Sequence, residues 1–274
     1  MSQANKGGGS VKLGLVSSLI RSLMGVAKMD AMLVSLGDAN EERGVFEISK
    51  DIFEMEVGSA GLDRLADADL SAGCVMVANH PRGILDLFAT GYWITTNMPT
   101  AVKCLGNRMI GTFIPALLPY LISVDNMAAR GEGRSAYNRE AFETAKTLIN
   151  AGGVLGVCPA GEVASLRLRS PEGWFRVSDH PWNMSFVGLA LELKVPIVPI
   201  HVSGKNRLIY YLIRLFGRIF GRLANIRELV ASRNQNIVVS VGRPLLYEDY
   251  KSLEVHEIAN LVRKNLYAAP SEVR

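Results

Sequence analysis

The chain of 274 residues lacks any run of about 18 uncharged apolar residues, so no segment reads as a bilayer-spanning helix. Cysteine is scarce. Cys74, Cys104 and Cys158 stand far apart in apolar, strand-like runs, and no pair has metal-ligand spacing. They read as core thiols of a reducing compartment. There is no Gly-x-Ser-x-Gly, which excludes the familiar serine elbow. Aromatics amount to 7%, without the basic–aromatic interleaving that stacks bases, so nucleic acid is not the expected partner. His180, His201 and His256 form no cluster with carboxylates, and neither a metal nor a cofactor is assigned. The start, MSQANKGGGS, lacks a basic segment leading into an apolar one. Residues 1–10 are expected to be a flexible tail rather than a signal peptide.

What is present is core material. Hydrophobic residues make up 49% and charged residues 20%. Mean hydropathy is +0.17 and the pI is near 9.0, with a net charge of +4. That balance suits an anionic partner.

Short apolar strands are expected at 74–78, 101–105, 121–124, 154–158, 196–202 and 236–241. Helical patterns fill 85–96, 108–118, 138–150, 182–193 and 252–266, the last with Ser252 as its cap. Continuously apolar strands separated by helices predict an α/β fold: a mixed, largely parallel sheet covered by helices on both faces. Residues 45–274 read as one domain, and 11–44 as an N-terminal helical, membrane-associating extension. In such sheets, sites gather past the carboxyl ends of strands. His80, Pro159-Ala160-Gly161-Glu162 and Ser203-Gly204-Lys205-Asn206 all fall there.

The segment Asn79-His80-Pro81-Arg82-Gly83-Ile84-Leu85-Asp86 carries the chemistry. Histidine titrates near working pH and serves as a general base. A carboxylate on its other ring nitrogen fixes the tautomer. Pro81 and Gly83 allow a tight turn that brings Asp86, in the first helical turn, back to His80. The bland alternative is a histidine closing a turn. Without a nucleophile elbow, direct transfer to an acceptor is the simpler mechanism.

That segment resembles the signature of the glycerolipid and lysophospholipid acyltransferase superfamily, in its haemolysin-like or ornithine-lipid acyltransferase branch. The branch has five residues between His and Asp, as here, where the wider superfamily usually has four. Three further blocks match in order: Lys103 to Asn126 with Gly106-Asn107-Arg108, Pro159 to Val163, and Val195 to Ile200 followed by Gly204-Lys205-Asn206. The resemblance runs from about residue 45 to 247, taking in Arg227-Glu228-Leu229 and Val241-Gly242-Arg243-Pro244. It implies an acyl-CoA or acyl-carrier-protein donor and a lyso-lipid hydroxyl as acceptor. His80 and Asp86 would be the catalytic pair. Arg82, Gly83, Arg108, Gly161, Glu162 and Asn206 would bind substrate, and amides near Gly161 would stabilise the oxyanion.

Residues 207–223 place Arg207, Arg214, Arg218 and Arg222 on one helical face, opposite Phe216 and Phe220. Tyr210 and Tyr211 flank that stripe. This reads as one interfacial helix, with Arg214, Phe216, Arg218, Phe220 and Arg222 touching an anionic membrane. Val11 to Met29 gives a second amphipathic segment. The expectation is a peripheral acyltransferase on the cytoplasmic face of a membrane. An amino-acid lyso-lipid such as lyso-ornithine lipid is the alternative acceptor to a lysophospholipid. A non-catalytic lipid-binding protein is the alternative from another class, distinguished by whether His80 and Asp86 meet.

Overall fold

A computed structural model describes residues 26–39, 43–124, 132–170 and 173–269. The elements begin with helices α1 (Val26–Gly37) and α2 (Val45–Ile52), strand β1 (Met55–Ala60) and a 3-10 turn at Leu62–Asp67. Next come β2 (Cys74–Ala78), α3 (Ile84–Asn97), β3 (Val102–Asn107), α4 (Arg108–Phe113), a 3-10 helix at Pro115–Tyr120, and β4 (Leu121–Val124). Then follow α5 (Glu132–Asn150), β5 (Val154–Val157), the hairpin β6 (Ser165–Ser170) and β7 (Gly173–Ser178), and α6 (Ser185–Leu193). The last are β8 (Ile197–Val202), α7 (Leu208–Arg214), α8 (Arg218–Ala231), β9 (Gln235–Val241), α9 (Tyr247–Tyr250) and α10 (Val255–Tyr267).

Seven strands form one sheet in the order β1-β9-β8-β2-β5-β3-β4. Every pairing is parallel except β8 with β9. The expected mixed, largely parallel sheet is therefore observed. β6 and β7 pair only with each other and stand apart from it.

Alternation along β2 splits the core into two layers. Cys74, Met76 and Ala78 pack with α2 and α3, while Val75 and Val77 pack with α5, α6 and α10. Phe88 and Trp93 of α3 are fully buried, and the Trp93 indole donates to Ser59 Oγ at 2.6 Å. Truncating such a side chain costs about 3–5 kcal/mol. The helix that carries Asp86 is thus firmly seated. Helix α1 buries Met32 and Leu36 in the same layer, so the described part of the 11–44 extension docks on the domain. The tail and the segment 11–25 lie outside the described residues.

Three expectations need correction. The pattern over 108–118 divides at Ile114, because Pro115 cannot continue α4. Glu254, not Ser252, caps α10, and its N–H donates to Glu257 Oε2 at 2.9 Å. The single helix over 207–223 is two, α7 and α8, broken at Gly217 with φ of 120°.

Candidate active site

His80 is the second residue past the end of β2, and Asp86 sits at the third position of α3. The turn between them depends on Gly83, whose φ of 83° suits glycine. A Cβ there would also fall 2.6 Å from Asn225 Oδ1. This turn brings the pair together: His80 Nδ1 lies 3.1 Å from Asp86 Oδ2. The same oxygen accepts from the N–H of Arg82 at 2.8 Å and of Gly83 at 2.9 Å. Asp86 is 1% exposed, and its Oδ1 has no hydrogen-bond partner among the described residues. A carboxylate so placed holds a proton on Nδ1 and leaves the Nε2 lone pair to receive another. Burial opposes charging of the ring. Contacts with Cys158 and Asp86 outweigh it and hold the imidazole well above its usual 6.5.

The backbone of His80 is gripped from both sides. Its N–H donates to Asp179 Oδ1 at 3.1 Å, and its carbonyl accepts from Ala164 N–H at 2.8 Å. Ala164 immediately precedes β6, and Asp179 immediately follows β7. Asp179 Oδ2 also accepts from the Trp182 indole at 3.1 Å. Burial raises the pKa of Asp179 above the ordinary carboxylate value. Neither residue had a local signal, since the contact with His80 spans about 100 positions and leaves no periodicity.

An apolar cavity of about 280 Å³ opens beside the pair. It runs from His80, Cys158 and Gly161 to the buried side chains of Met76, Ile94 and Leu121. Cys158, expected as a core thiol, instead lines this cavity within hydrogen-bonding reach of the His80 ring. Burial pushes the other two thiols, Cys74 and Cys104, up to about 12.

The remaining expected site residues divide. Gly161 lines the cavity with φ of 64°, but its N–H donates to the Cys158 carbonyl at 3.0 Å. That amide serves the turn and is not offered to an oxyanion. Arg82 contributes its backbone N–H to Asp86, while its guanidinium turns to Gln235 Oε1 at 2.9 Å and packs on Gly204. Burial lowers the pKa of that guanidinium. Arg108 is exposed at the start of α4, next to the cavity residue Asn107. Asn206 is buried, its backbone N–H donates to the Tyr211 hydroxyl oxygen at 3.1 Å, and its Nδ2 has no partner among the described residues.

Two arginines of the basic stripe, Arg207 and Arg214, pair with carboxylates of the protein. Arg207 holds the buried Glu228 through both carboxylate oxygens, at 3.0 and 3.1 Å. Arg214 is 15% exposed and pairs with Glu162 Oε2 at 2.8 Å, with further contacts to Tyr210 and His180. Arg214 is therefore no lipid contact, and Tyr210 and Tyr211 are buried rather than flanking a surface stripe. Phe216 and Phe220 are exposed, as expected. The side chains of Arg218 and Arg222 lie outside those described.

Among the described residues, no group of three His, Cys, Asp or Glu is placed to hold a metal, and no helix is long and apolar enough to cross a membrane. A His–Asp pair at a strand end, beside an apolar cavity, is an arrangement that can move a proton next to a hydrophobic group. The Acyltransferase family model matches residues 56–203, over half of the chain, and the protein belongs to that family. It is an acyltransferase. Two lyso-glycine lipid O-acyltransferases are similar, each 22% identical. That of Phocaeicola vulgatus aligns over 85% of this chain and 80% of its own length. That of Bacteroides thetaiotaomicron aligns over 91% and 89%. Among solved structures, the 1-acyl-sn-glycerophosphate acyltransferase PlsC of Thermotoga maritima aligns over 93% of this chain and 95% of its own, with 16% identity and a TM-score of 0.48.

Proposed function

We propose that this enzyme moves a fatty acyl group from an acyl-CoA or acyl-carrier-protein thioester to the hydroxyl of a lyso-lipid, with His80 as general base. The observation that carries the reading is the Nδ1–Oδ2 contact of 3.1 Å at the edge of an apolar cavity. The acceptor oxygen attacks the thioester carbonyl carbon. Its proton passes to His80 Nε2, the carbon–sulfur bond breaks, and the thiolate leaves with that proton. Asp86 orients the ring and stabilises the imidazolium formed on the way. The acyl chain lies in the cavity, where apolar burial is worth about 0.8 kcal/mol per methylene.

The names of the two relatives favour an amino-acid lyso-lipid as acceptor over a lysophosphatidate. Such a lipid sits in a bilayer, so the enzyme works as a peripheral protein on the cytoplasmic face. The exposed Phe216 and Phe220 support contact with that surface. The test is incubation of the purified protein with acyl-CoA or acyl-carrier protein and a panel of lyso-lipids, followed by mass analysis. An ester of a lyso-amino-acid lipid is expected. Absence of ester product from every donor and acceptor would sink the reading.

The position of Cys158 gives a second check. It lines the cavity beside His80 and is part-exposed; Cys104 lines the same cavity but is buried, and burial holds it and Cys74 protonated. Maleimide is expected to label Cys158 first and to abolish nearly all turnover in step with labelling. Saturating acyl donor should protect, and Cys158→Ala should resist. Full labelling of Cys158 with turnover intact would remove this cavity from the reaction.

A further inference from the structure

The hairpin of β6 and β7 has no partner in the seven-stranded sheet. A two-stranded ribbon is marginal in water without something to pack on, and Val177 seats this one on the buried cluster of Val163, Tyr210, Tyr211 and Ala224. Its cross-strand register sorts its residues onto two faces. Leu166 opposes Val177 on one face, while Arg167 opposes Arg176 and Arg169 opposes Trp174 on the other. Leu168 and Trp174 are 69% and 68% exposed. Two arginines directly opposite each other repel, and the strands themselves carry no acidic residue. The Arg169 guanidinium lies over the Trp174 ring, 5.5 Å from its centroid. Helix α7 runs beside β6 and leaves Leu208, Leu212 and Leu215 exposed at a spacing that keeps them on one face.

We propose that this hairpin is the element that seats the enzyme on an anionic bilayer. The idea rests on the reading that the acceptor is a lipid held in a membrane. The ribbon meets the surface edge-on, so that Trp174 on one face and Leu168 on the other both reach the boundary between headgroups and acyl chains, where tryptophan is favoured. The three arginines meet lipid phosphates, which relieve the repulsion between Arg167 and Arg176. An acidic protein such as an acyl carrier would answer the arginines, but it would leave the leucines and Trp174 in water. The hairpin also adjoins the site, because the two residues at its base hold the backbone of His80.

The test uses the full chain and two sets of vesicles, phosphatidylcholine alone and phosphatidylcholine with phosphatidylglycerol. Tight binding is expected only to the anionic set, with a blue shift of tryptophan emission that Trp174→Phe removes. An arginine near an anionic surface contributes about fivefold to partitioning, so Arg167→Gln, Arg169→Gln and Arg176→Gln together should weaken binding about 10²-fold. Leu168→Ser with Trp174→Ser should also release the protein, and both lie at exposed positions that leave folding intact. Either variant should keep wild-type turnover on acceptor dispersed below its critical micelle concentration and lose it on acceptor presented in vesicles. Vesicle binding unchanged in both variants overturns the proposal. So does unchanged vesicle binding with turnover lost only when acyl-carrier protein is the donor, which would make the hairpin a dock for that protein. If wild-type protein binds vesicles yet acylates nothing, the functional reading fails and the membrane seat stands.

Discussion

Replacing His80 by alanine is expected to lower kcat by about 10²–10⁴-fold while the protein stays folded. In the proposed mechanism the ring takes the acceptor proton; its Nδ1 lies 3.1 Å from Asp86 Oδ2, and it lines the cavity. Its loss removes one contact from Asp86 but leaves the two backbone donors, Arg82 N–H and Gly83 N–H. The tight turn therefore survives. Circular dichroism and the melting curve should match those of the wild type to within a few degrees, and donor binding should persist because the cavity is lined mainly by other residues. Turnover by His80→Ala near the wild-type rate would show that another group moves the proton.

Asp86→Asn should be nearly as damaging, for a different reason. The amide is the same size, so the carbonyl end can still accept the Arg82 and Gly83 N–H groups. That same oxygen faces Nδ1 and still accepts from it, so the tautomer is kept. The amide carries no charge to stabilise the imidazolium formed during transfer, and a fall of about 10²–10⁴-fold in kcat is expected. The pH dependence separates this variant from a simple loss of structure. In the wild type the imidazole is held well above 6.5, so activity should rise with pH along a limb centred above that value. Asp86→Asn withdraws one of the two partners that raise it, and the limb should move to lower pH. Stability follows the opposite course. A histidine whose folded pKa is raised contributes its full stabilisation below about 6.5, and that contribution is lost as pH rises through the folded value. The melting-temperature advantage of wild type over Asp86→Asn should shrink along that climb. A limb at the same pH in both proteins would mean that Asp86 does not govern the ring.

The sheet was legible because its inner strands are unbroken apolar runs, as in Cys74 to Ala78, which water cannot reach on either side. β1 was not, because Glu56, Gly58 and Ser59 interrupt the apolar pattern at an edge of the sheet. The hairpin is not legible because its alternation of Leu with Arg turns Val177 onto a cluster formed by distant residues, Val163, Tyr210 and Tyr211. The His80–Asp86 pair could be read because six positions of chain contain the whole device. Its supports could not, since Asp179 and Ala164 meet His80 only through the fold.

The stretch 207–223 shows how a clean periodicity misleads. Its arginines fall on one helical face whether that face meets lipid or protein. Arg207 and Arg214 are bound to Glu228 and Glu162, 21 and 52 positions away. Nothing local distinguishes the two fates. The helix also ends at Gly217, whose φ of 120° is a conformation that the periodicity cannot register. Amides near Gly161 are expected at the oxyanion from their place after a strand, and the N–H of Gly161 itself bonds the Cys158 carbonyl.

Ala164 and Asp179 stand as the two feet of the hairpin, and each holds one polar group of the His80 main chain. A chimera that borrows this ribbon from another acyltransferase should therefore take its splice points at 165 and 178. Cutting one residue wider at the 179 end would carry off the carboxylate that holds the His80 N–H, whereas at 164 any residue but proline supplies the same amide, and turnover lost with Asp179 would be blamed on the wrong part of the graft.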